Sequence, residues 1–157
     1  MVRRGSRNFM TLVKTHSSLE TEEFGKSWAA KLQPGAVLGL VGNLGGGKTC
    51  FVQGLAKGLN VPKNICISSP TYVLLHEYLG GRLPLYHFDF YRLKSQEEAI
   101  QLGLADYLDG EGICVIEWAD RFKELLPERT QILKFEVLGE GEREIQCLSY
   151  KNLVEHP

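Results

Sequence analysis

The chain has 157 residues, enough for one domain with a hydrophobic core, and its 43% hydrophobic and 24% charged residues are those of an ordinary globular protein. Its 18 basic and 19 acidic residues give a formal charge of −1, which excludes a global basic field that would steer it to nucleic acid. No apolar run approaches the roughly 20 residues of a membrane span, and the amino terminus lacks the apolar segment of a signal peptide, so we expect a cytoplasmic protein.

The four cysteines predict neither a metal site nor cross-links. Cys50, Cys66, Cys114 and Cys147 stand far apart in the chain and form no C-x-x-C pair. Zinc sites and disulfide frameworks both need closer or patterned spacing. We therefore expect reduced thiols, most of them buried.

The amino-terminal part of the chain predicts an extension, a strand, a helix and a second strand. Residues 1–9 hold three arginines and no acid, and we expect them to be a flexible basic extension of a single domain. Residues 11–15 form the first predicted strand. Ser17 precedes Glu20 by three positions, which is the capping box of a helix. The apolar, β-prone run at residues 37–41 predicts a strand at the centre of the fold.

A glycine-rich loop follows this strand. Gly42, four residues, Gly47, Lys48 and Thr49 match G-x-x-x-x-G-K-[ST], and a helix predicted at residues 50–59 completes the strand, loop and helix that the motif requires. In such a loop backbone N–H groups surround phosphate oxygens, the lysine reaches the terminal phosphates and the threonine hydroxyl ligates Mg²⁺. A glycine-rich turn without a ligand is the alternative. The predicted cofactor-binding residues are Gly42, Asn43, Leu44, Gly45, Gly46, Gly47, Lys48, Thr49 and Cys50.

Seven further elements are predicted beyond residue 62. They are two strands at residues 71–79 and 83–91 that form an antiparallel hairpin, a helix at 95–108, a short strand at 113–118, a helical turn at 122–126, and strands at 131–138 and 144–150. Because strands alternate with helices, the pattern predicts an α/β three-layer sandwich, with a mixed sheet like that of P-loop NTPases and helices on both faces.

Two acids at strand ends are candidates for the metal or the attacking water. Glu117 ends an apolar run, as the acid of a Walker B strand does, and Asp89 lies where strand alternation places it on one face with His87. A buried acid needs a metal, a basic partner or hydrogen-bond donors. The alternatives are an ordinary strand-end acid for Glu117 and a salt bridge from Asp89 to Arg92. For His87 we expect a hydrogen-bonded structural role.

Four motifs together carry a family resemblance. GNLGGGKTCF, SSPTY, HFDFYRL and VIEWADR resemble the TsaE family, formerly YjeE, of small bacterial P-loop ATPases, over about residues 17–150. The resemblance implies a Mg²⁺-dependent subunit that binds and hydrolyses ATP and is required to make threonylcarbamoyladenosine in tRNA. It also implies binding to the TsaB–TsaD heterodimer, and the near-neutral charge favours an indirect relation to tRNA.

The resemblance also implies roles for individual residues. Lys48 would hold the phosphates, Thr49 and Glu117 would serve as the Mg²⁺ ligands, and Asp89 would be the catalytic or water-orienting acid. Lys48, Asp89 and Glu117 are accordingly the predicted catalytic residues. Residues 69–71 would form a switch-like segment that senses the terminal phosphate.

The chain departs from the family loop G-D-L-G-A-G-K-T-T at three positions. Asn43 replaces the acid, Gly46 the alanine and Cys50 the second threonine. Asn43 removes a charge beside the phosphates, so we expect nucleotide binding to survive and turnover to differ. Trp118 and Tyr72 have the chemistry to stack on adenine, and packing is the alternative for each.

Two other classes of function fit a phosphate loop. A small-molecule kinase would need an arginine-rich lid, and the sequence holds no compact basic segment of that kind. A nucleotide-dependent binding module would bind ATP with little hydrolysis and would signal through partner docking. A GTPase is disfavoured because the chain lacks an N-K-x-D element.

Overall fold

The computed structural model describes residues 2–4, 11–43 and 47–155. Within these ranges the strands are β1 Val2–Arg4, β2 Thr11–Thr15, β3 Val37–Val41, β4 Leu75–Tyr78, β5 Leu85–Asp89, β6 Ile113–Glu117, β7 Gln131–Gly139 and β8 Glu142–Ser149. The helices are α1 Ser18–Ala29, α2 Lys48–Gly58, α3 Gln96–Gln101, α4 Leu104–Leu108 and α5 Tyr150–Glu155, and 3-10 turns span Ala119–Leu125.

The described strands form one mixed sheet in the order β1-β2-β8-β7-β3-β6-β5-β4. β3 lies at its centre and runs parallel to β6 and β7, and β5 runs parallel to β6. All five residues of β3 and all five of β6 are buried, because both faces of these strands are covered. Since parallel strands share a direction, the carboxyl ends of β3, β5 and β6 meet at one edge of the sheet.

Helices cover both faces, which confirms the predicted three-layer architecture. One core lies between the sheet and the helices α1 and α2, and it contains the side chains of Phe51, Leu55 and Leu59, all with 0% exposure. The other core, around Phe88 and Phe90, lies against α3, α4, the 3-10 turns and α5.

Helix α1 begins with the predicted capping box and packs tightly on α2. The Ser17 hydroxyl accepts a hydrogen bond from the Glu20 amide at 3.1 Å, while the Glu20 carboxylate accepts one from the His16 amide at 2.6 Å. A Cβ at Gly54 of α2 would overlap the carbonyl oxygen of Glu22. The two helices therefore approach to a distance that only glycine permits, which fixes the position of α2.

Three predicted elements differ from the structure. The single helix expected at residues 95–108 is two short helices, because Gly103 adopts a left-handed φ of 80° between them. The strand expected at 71–79 begins only at Leu75, since the preceding residues form a turn in which Leu74 has a φ of 71°. Tyr150, predicted to end a strand, instead begins α5.

The amino-terminal extension is described only in part. Residues 2–4 form β1, which pairs antiparallel with β2, while residues 1 and 5–10 lie outside the described ranges. None of the helices in the described ranges is long and apolar enough to cross a membrane. The cysteines are free thiols, of which Cys114 is buried and Cys66 is exposed.

Candidate functional site

A cleft of about 330 Å³ opens at the edge where β3, β5 and β6 end. Its lining includes Lys48, Thr49, Ser69, Thr71, Asp89 and Glu117, all of which the sequence singled out. These residues come from the first turn of α2, the segment before β4, the end of β5 and the end of β6. The fold therefore brings the start of α2, both acids and the switch-like segment to one place.

The glycine-rich loop is shaped by two left-handed glycines. Gly42 has a φ of 135° and Gly47 a φ of 93°, values that L side chains rarely adopt, and a Cβ on Gly42 would also overlap the carbonyl oxygen of Phe135. Since α2 begins at Lys48, the free N–H groups of its first turn line the cleft. Of the other predicted loop residues, Leu44, Gly45 and Gly46 lie outside the described ranges.

Lys48 is held inside the cleft, with 5% of its surface exposed. Its Nζ donates a hydrogen bond to the Gly42 carbonyl oxygen at 2.6 Å and lies 4.3 Å from the centre of the Trp118 ring. Burial lowers the pKa of Lys48, and the nearby carboxylates of Glu117 and Asp89 oppose that shift. An ammonium ion with so little solvent would gain strongly from a phosphate partner.

Asp89 and Glu117 lie side by side because the parallel pairing of β5 and β6 places them in register. They are 2% and 3% exposed, respectively. Asp89 Oδ1 accepts a hydrogen bond from the Tyr91 amide at 2.8 Å, and Oδ2 accepts one from the Thr71 hydroxyl at 2.8 Å. Both oxygens of Asp89 are thus oriented by donors.

The predicted alternative for Asp89, an ion pair with Arg92, is absent among the described residues. The Arg92 guanidinium lies instead 4.0 Å from the centre of the Tyr72 ring. Tyr72 is 79% exposed, so this contact lies on the surface beside the cleft.

Glu117 has a different environment. Its Oε2 lies 2.7 Å from His87 Nε2, and the Ser69 hydroxyl lies 3.3 Å from both Glu117 Oε2 and Asp89 Oδ2. The switch-like segment therefore reaches both acids through hydroxyl groups. His87 is wholly buried and hydrogen-bonded, as the sequence predicted for its side chain.

The donors in the cleft fit a Mg²⁺–nucleotide complex better than a metal ion bound by protein alone. Across residues 11–43 and 47–155, no group of three or more His, Cys, Asp or Glu side chains is arranged to hold a metal ion. Mg²⁺ typically keeps several waters and takes one or two carboxylates together with substrate phosphates. Thr49 and Glu117, beside the amino terminus of α2, offer this kind of partial ligand set.

Trp118 lines the cleft beside Lys48. It adopts a left-handed conformation, with φ 56° and ψ 38°, directly after β6. Its ring packs over the Lys48 amine and lies 4.9 Å from the ring of Tyr91. Packing is therefore the role that the observed contacts of Trp118 support.

Sequence reasoning missed three residues at the site. Thr21 of α1 and Arg143 of β8 line the cleft beside Gly47. Neither belongs to a local motif, because they reach the loop only through tertiary packing. Asp120 contributes a carboxylate near Lys48, and its buried Oδ1 has no hydrogen-bond partner within the described part of the chain. The sequence feature that could have indicated Asp120 is its position in the motif VIEWADR.

Comparison with known proteins identifies the family. The model of the "Threonylcarbamoyl adenosine biosynthesis protein TsaE" family matches residues 15–145. The "tRNA threonylcarbamoyladenosine biosynthesis protein TsaE" of Bacillus subtilis (strain 168) is 40% identical over 142 residues, which cover 90% of this chain and 87% of the relative. The protein of the same name from Treponema pallidum (strain Nichols) is 44% identical over 131 residues, 83% of this chain and 95% of the relative. A crystal structure of Bacillus subtilis YdiB aligns with a TM-score of 0.77 at 35% identity and covers 99% of this chain and 94% of that one. This chain therefore belongs to the TsaE family of threonylcarbamoyl adenosine biosynthesis proteins.

Proposed function

We propose that this protein is a Mg²⁺-dependent ATPase of the cytoplasm that serves tRNA threonylcarbamoyladenosine synthesis together with the TsaB–TsaD heterodimer. The observation that carries the proposal is the convergence of Lys48, Thr49, Asp89 and Glu117 on one cleft at the first turn of α2. The names of the similar proteins place them in the same biosynthesis.

ATP is held through the phosphate loop. The Lys48 ammonium exchanges its hydrogen bond to the Gly42 carbonyl for phosphate oxygens, and the free N–H groups of α2 add donors. Thr49 and Glu117 hold Mg²⁺, which when bound neutralises charge that develops on the phosphates.

Asp89 orients the attacking water. Its Oδ1 is fixed by the Tyr91 amide, so the carboxylate keeps its orientation when Oδ2 exchanges its hydroxyl donors for the water. The donors that must withdraw are Ser69 and Thr71. We infer that the segment holding them turns toward the terminal phosphate, which couples nucleotide binding to release of Asp89.

The TsaB–TsaD partner is inferred from the family. The difference between the ATP and ADP forms is the property that this partner would recognise. If the ATP and ADP forms differ in the conformation of residues 69–71, the TsaB–TsaD heterodimer can bind one form more tightly. The formal charge of −1 favours contact with this protein partner over a large direct footprint on tRNA.

Phosphate release from ATP, measured with and without TsaB–TsaD, tests the proposal. We expect slow release by the protein alone, a changed rate with the partner, and loss of release in Lys48→Ala and Glu117→Ala. Lys57→Ala, an exposed lysine paired with Glu22 away from the cleft, is the matched control and retains the wild-type rate. Unchanged release in both cleft variants would refute an ATPase.

A further inference from the structure

His87 lies behind the cleft and contacts Glu117, one of the two acids that line it. It precedes Asp89 by two residues on β5, so the two side chains share a face of the sheet. The His87 side chain has 0% exposure, and its Nε2 lies 2.7 Å from Glu117 Oε2. This contact joins two side chains that are both more than nine-tenths buried.

The surroundings of the ring define which nitrogen carries the proton. His87 Nδ1 is buried and has no hydrogen-bond partner within the described part of the chain. A proton on Nδ1 would leave a buried donor unsatisfied, whereas a proton on Nε2 has the Glu117 carboxylate as its acceptor. His87 Nε2–H therefore donates the hydrogen bond to Glu117 Oε2.

The hydrogen bond from His87 holds one oxygen of the Glu117 carboxylate from within the protein. Among the described residues, His87 and Ser69 contact only Oε2, and Glu117 Oε1 has no hydrogen-bond partner. The histidine therefore fixes one oxygen and leaves the other available at the cleft.

We propose that His87 is a positioning residue that fixes the Glu117 carboxylate for the Mg²⁺ of the bound nucleotide. The inference rests on the proposed function, because it requires Glu117 to serve that metal. Partners that orient ligating groups in this way commonly change metal affinity or activity by about 10–100-fold when removed. A histidine that only filled the core would act on stability and leave the Mg²⁺ dependence of nucleotide binding unchanged.

Three substitutions of His87 distinguish a role in positioning Glu117 from a role in packing the core. His87→Gln places an amide nitrogen near the position of Nε2, His87→Asn places one near the position of Nδ1, and His87→Leu removes the donor. Calorimetric titration with adenylyl imidodiphosphate, with and without Mg²⁺, gives the factor by which the metal tightens nucleotide binding. Thermal melting of each variant reports its folding independently.

We expect His87→Gln to keep the wild-type factor to within about threefold and His87→Leu and His87→Asn to lose about tenfold or more of it. Affinity without Mg²⁺ stays within about threefold in all variants, because Lys48 and α2 are unchanged. If His87→Leu does not fold, the glutamine and asparagine variants decide.

The inference is overturned if Mg²⁺ tightens nucleotide binding by the same factor in His87→Gln as in His87→Asn, or by the same factor in His87→Gln as in His87→Leu. It is also overturned if none of the three variants folds. If Mg²⁺ does not change the nucleotide affinity of the wild-type protein, this inference and the proposed metal role of Glu117 are both overturned. A normal wild-type factor that persists in His87→Leu would overturn the inference alone.

Discussion

Asp89→Asn separates the chemical role of this carboxylate from its structural role. Asparagine has nearly the same shape, and its Oδ1 keeps the acceptor for the Tyr91 amide. Its Nδ2 replaces Oδ2 and donates to the Thr71 hydroxyl, which accepts as readily as it donates. The contacts of the folded chain are therefore retained, while the negative charge that would polarise a water is lost.

The contacts of Asp89 set the size of the expected changes in unfolding free energy and in reaction rate. Hydrogen bonds to a charged group contribute about 1.5–3 kcal/mol and neutral ones about 0.5–1.5 kcal/mol, so two weakened bonds cost about 2 kcal/mol. Relief of repulsion with the adjacent Glu117 carboxylate offsets part of that cost. We expect a loss of about 1–2 kcal/mol in unfolding free energy. Removing an acid or base from a proton transfer lowers the rate by about 10²–10⁴-fold.

Three measurements are made on one preparation. Phosphate release gives the rate, nucleotide titration gives the affinity for the nucleotide, and urea unfolding gives the free energy of unfolding. The expected pattern is a large loss of release, nucleotide affinity within about threefold of wild type or tighter, and the small stability change given above. Asp109→Asn, at an exposed position outside the cleft, is the matched control. Release within threefold of wild type would refute the catalytic role, and a stability loss above about 4 kcal/mol would refute the hydrogen-bond argument.

Three further predictions concern stability and reactivity. Because burial lowers the Lys48 pKa, the protonated amine at pH 7 costs folding free energy, so Lys48→Met should raise the melting temperature by a few degrees while abolishing nucleotide binding. Gly54→Ala should lower the unfolding free energy by about 1–3 kcal/mol through overlap with α1, whereas Gly139→Ala, where the added Cβ meets its nearest atom only at 4.0 Å, should not. Burial raises the pKa of Cys114 to about 12, so iodoacetamide at pH 8 should label the exposed Cys66 of the folded protein and spare Cys114.

Local patterns predicted the centre of the fold because each carries a physical constraint. The apolar runs at residues 37–41 and 113–118 predicted the strands β3 and β6, and the neighbouring strands predicted at 71–79 and 83–91 gave the β4–β5 hairpin. The break at Gly103 was missed because an isolated glycine is often tolerated inside a helix. The start of α5 was missed because Tyr150 directly continues the alternation of β8.

The site was predictable where strand ends meet and unpredictable where distant elements pack. Lys48, Asp89 and Glu117 follow strands or end them, so parallel pairing brings them to one edge. Arg143 reaches Gly47 from the β7–β8 hairpin, a contact that no local spacing indicates. The sequence likewise indicated a hydrogen-bonded His87 without revealing that its partner is Glu117.

The different environments of the two acids favour one division of labour between them. Asp89 has both oxygens engaged, one by the backbone amide of Tyr91 and one by the hydroxyl groups of Ser69 and Thr71. Such a carboxylate keeps its direction and exchanges one donor for another, which suits an acceptor for water. Glu117 is fixed through Oε2 by His87 and offers Oε1, which suits a cation. The geometry thus favours Glu117 for Mg²⁺ and Asp89 for water, an assignment that strand position alone leaves open.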